Sequence, residues 1–165
     1  MAAVSFWAED RLAAKGIQNV AELGSKTALL GEVTAALAAG TAGSAISGPG
    51  ITAAQTEASV DFTLTPAHPL LTLVSMVAPS PDWFVGVTGM ALYTDGKWPD
   101  TLSVPLEVYD TGTDSGVTFT SLDQATVPPV LLQTLTSAPA DTDFAAGVHR
   151  SSGAHIARMV FLRLA

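Results

Sequence analysis

The chain contains no cysteine, so disulfides, thiolate metal sites and cysteine nucleophiles are all excluded. Basic residues are scarce too. Seven Lys and Arg stand against fifteen Asp and Glu, a net charge of −8, which argues against nucleic acid as a partner. Asparagine occurs once, at Asn19, followed by Val20 and Ala21, so there is no N-glycosylation acceptor. No apolar run reaches the roughly 18 residues a membrane span needs, and the nearest stretch, 28–46, is broken by Glu32 and several glycines. The opening MAAVSFWAEDRLAAKG carries acids where a secretory leader needs a basic and then an apolar stretch, so it does not read as one. What is present is 48% hydrophobic and only 13% charged: a globular composition with a bland surface, not a disordered one. At 165 residues the chain is expected to be one domain, 1–165, with a real core.

Two short helical patterns lie near the N-terminus. Residues 17–23 and 28–39 are rich in Ala and Leu, and Leu29, Leu30, Val33 and Leu37 fall at helical spacing. Ser25 is the expected N-cap of the second segment and Gly40 its C′ residue. From Ser59 onward the period changes. SVDFTLT alternates Val60, Phe62 and Leu64 with polar neighbours, as a half-buried strand does. Residues 70–78, 83–93, 104–110, 116–120 and 155–164 complete a set of short β-rich runs. Turn signals separate them: Pro66, Pro69, Pro79, Pro81, Asp95-Gly96, Pro99, Pro128-Pro129 and Pro139. Short strands without alternating helices predict an all-β fold, an antiparallel sandwich with a short helical segment in front.

The sharpest chemical feature is the loop Asp110-Thr111-Gly112-Thr113-Asp114-Ser115-Gly116 after the run ending at Tyr109. Two carboxylates four residues apart on a glycine-containing loop can converge on one hard cation, which takes oxygen ligands only. The spacing is not that of an EF-hand, because Gly112, Ser115 and Ser121 stand where an acid, a glycine and a glutamate belong. The competing reading is that each aspartate caps backbone amides of its own loop. In Ser80-Pro81-Asp82-Trp83, Asp82 reads as a turn former at a strand start. Enzymatic readings do poorly. His68 lies between Ala67 and Pro69, His149 and His155 are not at zinc spacing, and no nucleophile elbow, zincin or phosphate-loop motif occurs. Trp7, Trp83 and Trp98 read first as core aromatics.

Three blocks in order resemble a spondin domain, the F-spondin/mindin N-terminal domain family. They are Ala14 to Gly24, Met76 to Val87 around Pro-Ser-Pro-Asp-Trp, and Tyr109 to Phe119; with a weaker match at Ile156 to Val160, they span about 14–160. The resemblance implies a C2-like β-sandwich, secreted or at the cell surface, that binds calcium and makes adhesive or matrix contacts without catalysing a reaction. It places the Ca²⁺ ligands at Asp82, Asp110 and Asp114, with backbone carbonyls completing the shell. The missing cysteines fit a simplified, bacterial-type version. The chain begins close to the first block, so the strand that usually opens the domain is expected to be absent or short. An edge left unpaired that way invites strand addition from another chain. The implied partners are therefore calcium, other protein chains or extracellular glycan, and the alternative function is a structural subunit of a self-assembling fibre or surface layer.

Overall fold

The computed structural model describes residues 4–135 and 155–164. His149 and Pro139 lie outside them. Two helices come first, α1 (Lys15–Leu23) and α2 (Thr27–Ala38). Five strands follow: β1 (Leu70–Met76), β2 (Trp83–Ala91), β3 (Thr101–Asp110), β4 (Gln133–Thr134) and β5 (Ala157–Leu162). All the strand pairings are antiparallel, so the antiparallel β-sandwich with short N-terminal helices expected from the sequence is the architecture found.

β3 organises the fold because it serves two ladders. Its last residues pair with β2 on one side (Trp83↔Asp110, Val85↔Val108) and with β4 on the other (Asp110↔Gln133). Its first half pairs with β5, from Thr101↔Leu162 to Leu106↔Ala157. Side chains alternate across the pleat, so β2 and β3 feed two separate cores. Trp83, Val85, Leu106 and Val108 gather on one face with Val77 and Phe119. Phe84 lies on the other with Ile17 and Ala21 of α1, Leu132 and Trp7, and Tyr109 packs against them. α1 buries Ile17, Val20 and Ala21, the i, i+3, i+4 stripe of an amphipathic helix. Gly86 is required where β2 passes under the Trp7 ring: a Cβ there would lie 2.4 Å from the Leu73 carbonyl oxygen and 3.1 Å from the indole. The β1–β2 register shifts near Gly89, whose φ of +58° only glycine adopts freely.

Several local expectations are corrected. Ser25 does not cap α2: Lys26 holds the N-cap position and no side chain bonds the free amides. Gly40 does take up the left-handed conformation, at φ +69°, just past the helix. The alternating segment SVDFTLT forms no strand; its one regular contact is the bridge Thr65↔His68, because no neighbouring strand offers it a ladder among the described residues. Residues 116–120 are likewise not a strand. The Ser121 hydroxyl takes the Val117 and Thr118 amides and folds the segment into a turn, from which Phe119 drops into the core against Trp83. Trp7 and Trp83 are core residues as expected, whereas Trp98 is half-buried beside Tyr93.

Candidate functional site

The register of β2 on β3 assembles the site. Trp83 opens β2 opposite Asp110, the last residue of β3, so Asp82 stands just beyond the ladder beside Thr111, whose amide donates to the Asp82 carbonyl. Segments far apart in sequence therefore meet at one end of the sheet.

Asp82 is fully buried, and its Oδ2 organises the loop. The Thr113 amide (2.7 Å), the Asp114 amide (3.0 Å) and the Thr111 hydroxyl (2.7 Å) all donate to it. The Thr113 hydroxyl sits 3.2 Å away and also reaches Glu22 Oε1 of α1 at 2.6 Å. Gln18 donates to the same Glu22 oxygen. A polar thread thus runs from helix α1 through two threonines to Asp82.

The other two aspartates make local bonds. Asp110 Oδ1 accepts the Gly112 amide at 2.7 Å, and Asp114 Oδ1 accepts the Gly116 amide at 2.7 Å, so each closes a turn on its own loop. Asp114 Oδ2 takes the Gln124 amide at 2.6 Å. The amide-capping alternative thus describes these bonds well. Gly112 is indispensable at φ +74°, where a Cβ would lie 2.5 Å from the Val130 carbonyl oxygen.

The electrostatics are unbalanced. Burial raises the Asp82 carboxyl above its ordinary range despite the hydrogen bonds it receives. Asp110 is pushed up to about 7, first by burial and then by the neighbouring Asp82 charge; the Gly112 amide and the Trp83 side chain offset part of this, and Asp114 adds to it. Asp82 Oδ1 is buried with no hydrogen-bond partner among the described residues. Among the described residues, however, no three His, Asp or Glu side chains stand in a ready metal-holding group. The Asp82 charge acts on Asp110 more strongly than the Asp114 charge does, and both Asp114 oxygens are turned to amides. An oxygen-seeking cation fits the first pair, through the orphaned Oδ1, better than the third residue.

The raised Asp110 carboxyl sets a pH dependence for the metal-free chain. The folded protein holds a proton that the unfolded one releases near pH 4. Stability is therefore highest below about pH 4 as far as this group is concerned and falls as pH rises towards 7, by on the order of a few kcal/mol. Urea unfolding in chelator at stepped pH measures it, and a flat or rising profile from this group would contradict the burial described.

Sequence reasoning missed Glu22, Thr111 and Thr113. The threonines sit inside the aspartate loop and Glu22 inside the first of the matched blocks, but only the packing of α1 on the sheet joins them. His155 approaches Glu107, at 3.6 Å, on a different part of the sheet, and His68 packs against Gly43; neither reaches the aspartates.

Fold and site together define an antiparallel β domain whose polar network gathers in one loop cluster. The Spondin_N family model matches residues 1–157. Spondin-2 of Homo sapiens is 34% identical over 134 residues, covering 81% of this chain and 40% of that protein. Spondin-2 of Rattus norvegicus is 34% identical over 75% of the chain and 38% of its own length. Spondin-1 of Gallus gallus is 33% identical over 79% of the chain and 17% of its own length. The chain belongs to the Spondin_N family, and it spans about two-fifths of the spondin-2 relatives it matches.

Proposed function

We propose that this chain is a non-catalytic, calcium-stabilised module that makes adhesive or matrix contacts outside the cell. Membership of the spondin family supports the extracellular contact role. No helix among the described residues is long and apolar enough to cross a membrane. The observation that carries the calcium reading is the fully buried Asp82 beside the half-buried Asp110, with one Asp82 oxygen unpartnered and the Asp110 carboxyl pushed up to about 7. Calcium takes six to eight oxygens, carboxylates and backbone carbonyls among them. Asp82 and Asp110 are the residues that would hold it, and Asp114 joins them by exchanging an amide for the ion. Bound there, the ion supplies charge compensation and order, with no bond making or breaking.

Thermal unfolding with calcium, magnesium or chelator tests this. Calcium is expected to raise the midpoint, by about 2.7 kcal/mol of stability at a hundredfold excess over Kd. Asp110→Asn keeps the acceptor for the Gly112 amide but removes the charge. At about pH 8 without calcium it is expected to be more stable than the parent by on the order of 1–3 kcal/mol, and to gain nothing from calcium. A parent chain indifferent to calcium, or an Asp110→Asn variant that responds equally, sinks the cation reading.

Self-assembly is the second reading, and β5 favours it. Its outward side chains Val160 and Leu162 are more than half exposed, and β3 is its one strand partner among the described residues.

A further inference from the structure

Beyond the aspartates, the loop 117–131 holds a row of apolar side chains in water. Leu122 is 88% exposed and Val127 86%; Val117, Val130 and Leu131 are about half exposed. Isolated exposed aliphatics are ordinary, but five within fifteen residues of one connection give it an unusually apolar surface that suits a partner.

The loop is also firmly held. The Ser115 amide donates to Gln124, the Thr126 amide to Thr113 and the Val130 amide to Gly112, each within 2.9 Å. The Gln124 amide is fixed by Asp114 Oδ2, and Gly116 is packed so closely on Pro81 and Ser121 that a Cβ would clash with both. Such a surface is already ordered before it meets a partner and loses little entropy in binding.

Its charge selects the partner. Asp123 lies within the loop. Exposed Glu9 and Asp10 flank its far end: the Asp10 amide donates to Leu132, Gln133 donates to Asp10, and Thr134 donates to Glu9. Arg11 is the neighbouring cation, and from Trp98 to His149 the sequence has no Lys or Arg. A second copy docking through this face would set acid against acid, and an anionic membrane would be repelled.

We propose that loop 117–131, with the acidic rim of Glu9, Asp10 and Asp123, is the docking surface for a protein segment that presents apolar side chains flanked by Lys and Arg. The contact deepens the adhesive-module reading. It does not depend on calcium, although an ion at Asp82 and Asp110 would stiffen the loop to which the surface is tied.

The test uses the full chain and two synthetic helical peptides of about 20 residues, one of Leu and Lys at amphipathic spacing and one with Glu replacing Lys. Fluorescence anisotropy is read in low and high salt for the parent chain and for the combined Leu122→Ser, Val127→Ser, Val130→Ser variant. The exposed positions leave its melting midpoint unchanged, which is checked first. The Lys peptide is expected to bind, to weaken several-fold in salt, and to lose at least about tenfold on the triple variant. Equal binding of the two peptides, or equal binding by parent and variant, overturns the proposal. Sedimentation velocity and flotation with phosphatidylcholine vesicles cover the other occupants. A dimer or a vesicle association that the triple variant abolishes, without peptide binding, reassigns the surface to a second copy or a membrane and overturns it too. Repeating the titration in chelator separates the two proposals: unchanged peptide binding in a chain that ignores calcium removes the cation and leaves the docking surface.

Discussion

Replacing Asp82 by alanine is expected to cost about 3–5 kcal/mol, a large share of a domain's total stability. The carboxylate is fully buried, and its Oδ2 is the common acceptor for the amides of Thr113 and Asp114 and the hydroxyl of Thr111. Alanine leaves those donors in a dry site with nothing to accept them, and each orphaned group costs about 1–3 kcal/mol. The centre of the 110–116 loop converges on that one oxygen, although Asp110, Asp114 and the 124–130 backbone also tie the loop at its ends. Asp82→Asn separates hydrogen bonding from charge. Its amide oxygen can take the place of Oδ2, and its NH₂ then lies where Oδ1 has no partner, so the loss is expected to be about 1–2 kcal/mol. Because the Asp82 charge is the second cause of the raised Asp110 carboxyl, the same variant is expected to bring Asp110 down towards the ordinary range. Urea unfolding gives the first quantity and carboxyl titration by NMR the second. An alanine variant as stable as the asparagine one would show that the loop is held by something else.

Trp7→Ala is expected to cost a similar 3–5 kcal/mol. Trp7 is 5% exposed and meets Phe84 at 5.0 Å and Tyr109 at 4.7 Å between ring centroids, both edge-on. Its carbonyl accepts the Thr88 hydroxyl, which ties the N-terminal segment to β2. The indole N–H has no partner among the described residues, so Trp7→Phe removes a buried orphan donor together with some volume. Those effects oppose each other, and the phenylalanine variant is expected within about 1–2 kcal/mol of the parent. Denaturant midpoints for the two variants check this. A loss below about 1 kcal/mol in Trp7→Ala would mean that residues 4–14 contribute little to the core, and that the sheet face over Phe84 closes without them.

These two residues mark the boundary between local and tertiary information. The features the sequence by itself determined are those whose cause lies within a few residues. The Ile17, Val20 and Ala21 stripe is amphipathic wherever the helix packs, and Gly40 follows α2 because a left-handed residue ends a helix cheaply. Asp95-Gly96 makes a tight hairpin between Thr94 and Lys97 because both take positive φ. The apolar runs at β1, β2, β3 and β5 are legible to within a few positions for the same reason; Asp110 and Asp114 stand out in their loop, whereas Asp82 reads by itself as a turn former and is singled out only by the family resemblance.

Tertiary structure decided everything that needs a partner. SVDFTLT has the right alternation, but a strand exists only as part of a ladder, and none reaches it among the described residues. Residues 116–120 have β composition, yet the Ser121 hydroxyl captured their amides first. Trp7 belongs to the core because Gly86 leaves room for its ring, a fit that no local pattern encodes. Asp82 and Asp110 meet because β2 begins opposite the end of β3, whereas Asp114, equally prominent in sequence, turns away to the Gly116 and Gln124 amides. Glu22 enters the network only because α1 lies against the sheet. Composition and periodicity specify which side chains want burial or a charge to face; the register of the strands and the packing of the helix choose which of them find it.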